Sequence, residues 1–221
     1  SIKKRKLAGV ESHDELTRLA LKSCLIARDS TFNMLELLKS SSRLAFLAIR
    51  DCEKELDQIE RYIDEHLPFA ITQVNEARAR QLLFSLKAIT NLERIGDLVM
   101  GVAQRLQSRS EGLNKADGDT LARMVVVVHD MLEYVHEGFL TLNLECARKV
   151  MRADAEVDRL CHGLFETHLR AGSRRHRSSF DVLLMAQAFE RAGDHVTNLA
   201  EDLISLIEGH TARHPPKRKP T

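Results

Sequence analysis

Apolar residues recur at spacings of three and four positions along most of the chain, which is the pattern of a helix with one buried face. One such stripe contains Ile49, Cys52, Leu56, Ile59 and Ile63. No long stretch shows the alternation of apolar and polar residues that is typical of a half-buried strand. The pattern therefore predicts an all-α protein.

Three segments rich in glycine, serine, proline or charge interrupt the helical pattern, and we expect them to be unstructured. They cover residues 1–9, 108–118 and 209–221. The middle segment divides the chain into two predicted domains of similar length, residues 11–107 and 119–208. Each domain is long enough for three helices that pack as an antiparallel bundle.

The bounds of the predicted helices follow from where the apolar stripes begin and end. In the first half, one helix covers residues 12–39, a second begins near residue 43 and a third ends near residue 106. In the second half, the helices cover residues 119–144, 145–171 and 178–208. Asn75 is predicted to cap the N-terminus of the third helix, and Pro68 is expected to kink or fray the end of the second.

The two halves repeat each other, which is the sequence pattern of a tandem architecture. Residues 14–18 match residues 119–123, residues 53–57 match 154–158, and residues 93–97 match 190–194. Both copies of the last segment contain a glycine, Gly96 and Gly193, which we expect to permit close approach of a neighbouring helix. We therefore predict two similar antiparallel three-helix bundles, joined end to end.

Each half also contains two pairs of acidic residues that are four positions apart and therefore share one face of a helix. The pairs are Glu53 and Asp57, Glu93 and Asp97, Asp154 and Asp158, and Glu190 and Asp194. Each acidic residue directly follows a residue of an apolar stripe, which places it at the edge of the buried face. Antiparallel packing would bring the two pairs of one half to the same level. The sequence thus predicts four partly exposed carboxylates per bundle.

Like charges at this spacing repel unless a cation or a positive side chain lies between them. Clustered carboxylates suit hard cations such as magnesium, manganese, calcium or iron. Zinc would prefer histidine or cysteine, and only His195 lies near one of the predicted sites. The alternative is a network of ion pairs with Arg94, Arg191 or Arg159, and the spacing alone leaves both interpretations open.

Composition and charge exclude several other classes of function. The 33 basic and 32 acidic residues give a net charge of +1, so no basic field predicts a nucleic-acid partner. Purely apolar runs such as residues 124–128 are far too short to span a membrane. The 4 cysteines form no CxxC pair, which favours buried thiols in a reducing, cytoplasmic setting. We find no nucleotide-binding or nucleophile motif and predict no catalytic residue.

Residues 91–97 and 189–201 resemble the third-helix motif of the PhoU family, and the resemblance covers nearly the whole chain. It implies a tandem pair of three-helix bundles in a cytoplasmic, non-enzymatic regulator that is peripheral to the membrane at most. Such a protein would couple the ATPase of a phosphate ABC transporter to a sensor histidine kinase and restrain the phosphate-starvation response. A homodimer is possible, and no nucleic-acid partner is expected.

The resemblance also implies metal clusters on the acidic pairs, with iron, manganese, magnesium or zinc as the bound ion, and it adds Asn198 to the second site. The first half departs from this pattern, because Gly101 corresponds to Asn198 and Leu98 corresponds to His195. Two alternatives remain: the regulatory tail of a sodium–phosphate cotransporter, with basic residues 3–6 next to the membrane, or a carboxylate-metal hydrolase or oxidase.

Overall fold

The computed structural model describes the backbone of residues 2–109, 112–170 and 176–209, and the side chains of residues 14–109, 112–170 and 179–209. These residues form six α-helices and no strand, which confirms the predicted all-α class. The helices are α1 (Ile2–Ser40), α2 (Arg43–Ile71), α3 (Glu76–Ser108), α4 (Lys115–Thr141), α5 (Leu144–Arg170) and α6 (His176–Glu208).

Polar side chains cap several of these helices as their sequence predicts. Asn75 Oδ1 accepts the backbone N–H of Arg78 at 3.0 Å, which confirms the predicted N-cap of α3. Asn114 Oδ1 accepts the N–H of Asp117 at 2.9 Å, so α4 begins at Lys115, inside the segment that we expected to be unstructured. α2 continues past Pro68 to Ile71, and the proline lies in its last turn.

The expectation that residues 2–9 are unstructured is wrong, because α1 begins at Ile2. Lysine, arginine, leucine and alanine are good helix formers, and this segment contains no proline that would stop a helix. Residues 110–111 and 210–221 of the other two predicted loops lie outside the described residues.

The width of the apolar stripe separates the outer helices from the central ones. α2 buries Leu56, Ile59 and Ile63 along one face and, among the described residues, contacts only α1 and α3. α3 buries residues that are adjacent in sequence, such as Ala88 and Ile89, so its apolar surface points in two directions. As a result α3 contacts its own bundle on one side and α6 on the other.

The two bundles lie side by side, with α1 against α4 and α3 against α6. The prediction that they are joined end to end is therefore wrong. An end-to-end arrangement would leave the second apolar direction of the central helices in water, whereas the observed arrangement merges both bundles into one hydrophobic core. None of the described helices contains a stretch that is long and apolar enough to cross a membrane.

Polar contacts across the interface show that α3 and α6 run antiparallel. The first residue of each contact lies on α3 or at its C-terminal cap, and the second lies on α6. The contacts are Lys87 Nζ to Asp202 Oδ1 at 3.2 Å, Asn91 Oδ1 to His195 Nδ1 at 3.0 Å, and Arg109 Nη1 to Asp181 Oδ2 at 3.3 Å. Residue numbers fall along α6 as they rise along α3. The acidic pairs of these two helices therefore lie at the same level of the molecule.

A buried Ser–His–Asp chain joins the helix ends at one end of the second bundle. His168 Nε2 donates to Asp117 Oδ1 at 3.0 Å, and His168 Nδ1 accepts from Ser179 Oγ at 2.9 Å. Asp117 also accepts from the Asn114 side chain at the cap of α4. Because the three residues belong to the ends of α5, α4 and α6, we interpret this chain as a connection between helix termini.

Candidate functional site: two carboxylate clusters

The helices that carry the acidic pairs approach each other closely at a glycine. A Cβ atom placed on Gly96 of α3 would lie 2.8 Å from Leu56 Cδ1 of α2. A Cβ atom on Gly193 of α6 would lie 3.4 Å from Asp154 Oδ1 and 3.6 Å from Val157 Cγ1 of α5. The absent side chain of Gly96 thus permits the close approach of α2 to α3, whereas the contacts at Gly193 are of ordinary van der Waals length.

In the first bundle, the four predicted carboxylates share one electrostatic environment, which we call the first cluster. Burial raises the pKa of Glu53, and the charges of Asp97 on the facing helix and Asp57 on its own helix raise it further. Burial also raises the pKa of Glu93, to about 7, with added repulsion from Asp97 and a partly compensating attraction from Arg94. The structure therefore brings together the pairs of α2 and α3.

Glu60 is a fifth member of the first cluster that the pattern of pairs did not include. Burial raises the pKa of Glu60, and its charge in turn raises the pKa of Glu93. Glu60 follows Asp57 by three positions and Glu53 by seven, which keeps it on the same helical face. This spacing is the signal in the sequence that could have identified it.

The second cluster consists of Asp154 and Asp158 of α5 with Glu190 and Asp194 of α6. Burial is the largest cause of the raised pKa of Asp154, Glu190 and Asp194. The charge of Asp158 raises the pKa of all three further. The interactions of Asp158 with Glu190 and Asp194 cross from α5 to α6, so the structure also brings together the pairs of these two helices.

Each cluster is buried at one end and open at the other. The first acidic residue of every pair is half-buried, whereas Asp97, Asp158 and Asp194 are exposed. In the buried part, Glu93 Oε2 and Asp154 Oδ1 are inaccessible to solvent and have no hydrogen-bond partner. A buried carboxylate oxygen without a partner is costly, so each cluster contains an oxygen that a cation would stabilise.

The predicted alternative, a network of ion pairs, is present in the first cluster. Arg94 lies 3.5 Å from Glu93 and 3.7 Å from Asp97, and Arg61 lies 2.7 Å from Asp57. These arginines are exposed, so each pair contributes little to stability.

The second cluster has no such network within the described part of the chain. Arg159 pairs instead with Glu156, at 2.7 Å, and no Lys, Arg or His nitrogen of the described side chains approaches a carboxylate of the second cluster within ion-pair distance. Arg191 acts on Glu190 and Asp194 only at longer range, partly compensating their raised pKa.

The predicted residues on α6 beyond the second cluster have different surroundings. His195 donates to Asn91 of α3 through Nδ1, so its ring reaches across the interface to the other bundle. Burial lowers the pKa of His195, and Arg191 and Arg94 lower it further. Asn198 is half-buried and follows Asp194 by one helical turn.

Cys161 was not predicted at either site, yet it lies in the electrostatic environment of the second cluster. It lines a cavity of about 300 Å³ together with Asp158, Glu190, His162 and Phe165. Burial raises the pKa of the Cys161 thiol to about 11, with further contributions from Glu190 and Asp158. In the repeat, Cys161 occupies the position of Glu60, three residues after the second aspartate of its helix.

Comparison with known proteins identifies the family that shares this arrangement. The PhoU domain matches residues 20–106 and again residues 121–203, so each match contains one of the two clusters. The chain belongs to the PhoU domain family. A Burkholderia protein named phosphate-specific transport system accessory protein PhoU homolog is 30% identical over 170 residues, which are 73% of this chain and 72% of that protein. A homolog of the same name from Pseudomonas aeruginosa is 26% identical over 212 residues, which are 93% of this chain and 87% of that protein.

Two solved PhoU structures share the fold. The PhoU crystal structure from Pseudomonas aeruginosa superimposes with a TM-score of 0.81 at 23% identity, covering 90% of this chain and 98% of that one. The phosphate transport system regulatory protein PhoU from Streptococcus pneumoniae gives a TM-score of 0.80 at 18% identity, covering 92% and 98%. At these identities the likeness shows that this chain has the PhoU fold.

The carboxylates of the two clusters fit a metal in donor type, although they are not drawn together. No three His, Cys, Asp or Glu side chains of the described residues are arranged so that they could hold a metal ion as they stand. The carboxylates raise one another's pKa in both clusters, so each repels its neighbours when ionised. Their carboxylate oxygens are nevertheless the hard donors that divalent cations prefer, and Asp154 Oδ1 is buried without a hydrogen bond.

Proposed function

We propose that this protein is a non-enzymatic accessory protein of a phosphate transport system. The observation that carries the proposal is the pair of PhoU domain matches, at residues 20–106 and 121–203, in a chain with relatives named for phosphate-specific transport. In this role it acts in the cytoplasm, at the membrane surface, and couples the ATPase of a phosphate ABC transporter to a sensor histidine kinase. It restrains the starvation response when phosphate is plentiful.

The two carboxylate clusters bind metal ions in this proposal. Glu53, Asp57, Glu93 and Asp97 would hold the ion of the first bundle. Glu60 interacts electrostatically with Glu93 of this set. Asp154, Asp158, Glu190, Asp194 and Asn198 would hold that of the second. A bound cation would neutralise like charges that face each other between two helices and would thereby stabilise each bundle.

The partner proposal is tested by binding measurements with purified components from the same genome. The immobilised full-length chain is presented with the transporter ATPase subunit and, separately, with the cytoplasmic part of the kinase. We expect saturable binding of both, and a starvation reporter that stays active at high phosphate when the gene is deleted. Absence of binding to either component, together with an unchanged reporter, would contradict the proposal.

The metal proposal is tested by elemental analysis of protein purified without chelator, followed by thermal unfolding with and without EDTA. We expect bound iron, manganese, magnesium or zinc and a lower melting temperature after chelation. Sub-stoichiometric metal together with an unchanged melting temperature would exclude a structural metal. A phosphatase or ferroxidase activity that Asp194→Ala abolishes would replace the non-enzymatic assignment with a metal-dependent enzyme.

A further inference from the structure

One hydrogen bond between α3 and α6 has no counterpart at the equivalent positions of the repeat. The shift of 97 positions that relates the acidic motif of α3 to that of α6 also relates the other positions of these two helices. His195 donates to Asn91 at 3.0 Å. The equivalent positions hold Leu98 and Ala188, whose side chains cannot form a hydrogen bond. The copy of this contact on the other side of the interface is therefore apolar.

A charged contact between the same two helices also lacks a counterpart. Lys87 Nζ lies 3.2 Å from Asp202 Oδ1. The equivalent positions hold Leu184 and Arg105, so the arginine meets a leucine where the other copy has an ion pair. Within the described residues, Arg105 pairs only with Asp181, and the distance of 3.9 Å is close to the limit of an ion pair.

A cavity of about 280 Å³ between α3 and α6 lies where these two contacts are missing. All four residues at the equivalent positions line it, together with Gly101. A Cβ atom on Gly101 would have no neighbour within 4 Å among the described residues, whereas the other copy of the repeat has Asn198 at this position. The interface is therefore open on one side, at positions that polar side chains occupy on the other side.

Arg191 also lines this cavity, and no ion pair compensates its charge within the described part of the chain. The equivalent arginine of α3, Arg94, lies 3.5 Å from Glu93 and 3.7 Å from Asp97. Gln187 adds a side-chain amide to the lining of the cavity. Together with Arg105, these residues offer two guanidinium groups and one amide as N–H donors around one space.

We propose that this cavity binds inorganic phosphate. Arginine presents several N–H donors in one plane and is favoured wherever phosphate oxygens are recognised by paired hydrogen bonds. Arg105 belongs to α3 and Arg191 to α6, so an anion between them joins the two bundles in place of the missing polar contacts. This site goes beyond the metal and partner functions proposed above and does not depend on them.

The carboxylate in the lining of the cavity indicates which oxyanion fits. Asp97 is the only acidic residue among the described residues that line the cavity, and Arg94 at 3.7 Å partly compensates its charge. An ionised carboxylate only accepts hydrogen bonds, so it favours an anion that still carries a proton. Inorganic phosphate carries a proton near neutral pH and sulfate does not. The cavity should therefore prefer phosphate to sulfate, although the two ions have similar size and shape.

Equilibrium dialysis of the full-length chain against radiolabelled phosphate tests the proposal. The experiment is done in EDTA, because metal ions could bind phosphate themselves. We expect saturable binding that unlabelled phosphate displaces readily and sulfate displaces poorly. Arg191→Gln should lower the affinity by about tenfold or more, the loss typical of a hydrogen bond to a charged group. Arg159→Gln is the matched control and should bind like the wild type, because Arg159 pairs with Glu156 on α5.

Two further variants distinguish the cavity from a general effect of charge. Gly101→Asn gives the cavity the side chain that the other copy of the repeat has at this position. It should abolish most of the binding without changing the net charge. Asp97→Asn removes the carboxylate and should bring the affinities for phosphate and sulfate closer together, chiefly by improving the binding of sulfate. Circular dichroism and the melting temperature show whether each variant is folded.

Phosphoserine serves as the probe for a phosphorylated partner protein. Its phosphate group loses the last proton with a pKa of about 6, so at pH 7.5 it offers the carboxylate little to bond with and should compete less well than inorganic phosphate. Phosphoserine that binds more tightly than inorganic phosphate would overturn the assignment of the free ion as the ligand.

Three other results would overturn the proposal. They are the absence of saturable phosphate binding to the folded wild type in EDTA, binding that is unchanged in folded Arg191→Gln or Gly101→Asn, and equal affinities of the wild type for phosphate and sulfate. None of these results bears on the metal and partner proposals, which are tested on protein purified without chelator and with the purified transporter and kinase components.

Discussion

The first and second clusters occupy equivalent positions in two copies of one fold, yet their chemistry differs. The first combines five carboxylates with two arginines at ion-pair distance, Arg61 and Arg94. The second combines four carboxylates with a buried thiol, Cys161, and has no ion pair among the described residues. The comparison teaches that the repeat preserves the backbone and the acidic pairs, whereas the side chains around them decide how the negative charge is compensated.

Removal of metal should have the largest effect and should fall mainly on the second cluster. A ligand at one hundred times its dissociation constant stabilises the folded state by about 2.7 kcal/mol. Glu190→Gln with Asp194→Asn should abolish most of this gain, because the substitutions remove two of the four carboxylates proposed to hold the ion. Glu93→Gln with Asp97→Asn, the matched control, should abolish less. Thermal unfolding with saturating metal and with EDTA measures the difference, and equal losses would remove the distinction between the clusters.

The pH dependence of the metal-free protein should be dominated by Glu93 of the first cluster. Because its pKa in the folded state, about 7, lies above that of the unfolded chain, its contribution to stability is full below about pH 4 and is lost as the pH rises towards 7. After allowance for solvent screening we expect a loss of about 1–2 kcal/mol.

Urea unfolding in EDTA between pH 5 and pH 8 measures this slope, with Glu93→Gln as the comparison. The variant should show a flatter profile and should be more stable than the wild type at pH 8. The raised pKa of Asp154, Glu190 and Asp194 gives the second cluster a slope of the same sign. A wild-type stability that rises between pH 5 and pH 8 would contradict the expectation for both clusters.

The two glycines should respond to alanine in opposite directions. Alanine is favoured over glycine within a helix by about 1 kcal/mol. At Gly193 the new Cβ meets nothing nearer than Asp154 Oδ1 at 3.4 Å, so Gly193→Ala should stabilise the metal-free protein by up to about that amount. At Gly96 the Cβ would lie 2.8 Å from Leu56 Cδ1, and Gly96→Ala should destabilise it by about 1 kcal/mol as the core adjusts. Urea unfolding in EDTA measures the change in the free energy of unfolding for each variant. A change of the same sign in both variants would contradict the expected difference between the two helix contacts.

The smallest effect should come from the arginine at the equivalent position of each repeat. Arg94→Met removes contacts to Glu93 and Asp97 and should lower the stability of the metal-free protein by about 0.5 kcal/mol at pH 8. Arg191→Met removes no ion pair of the described residues and should change it by less. A double-mutant cycle with Glu93→Gln should show that the loss of stability caused by Arg94→Met depends on the charge of Glu93. Equal costs of both arginine variants would mean that Arg94 does not compensate the first cluster.

The sequence by itself determined the local features of this protein. Helical periodicity depends on residues three and four positions apart, so the six helices and the cap at Asn75 follow directly from the order of residues. The repeat revealed the acidic pairs, and the motif at residues 91–97 and 189–201 carried the resemblance to the PhoU family, because similar residues at matching places in both halves do not need a structure to be recognised. The same local rule, applied only at spacing four, left out Glu60.

Only the tertiary structure decided which surfaces meet. The bundles lie side by side because α3 and α6 each have a second apolar face. Whether water or another helix covers that face depends on how the whole chain packs. Packing also decides which carboxylate each arginine contacts. Arg94 and Arg159 each directly follow an acidic residue of a predicted pair, but Arg94 contacts Glu93 of its cluster, whereas Arg159 contacts Glu156. Cys161 reads as a buried thiol like the other cysteines, and only the packing of α5 against α6 places its sulfur beside two carboxylates.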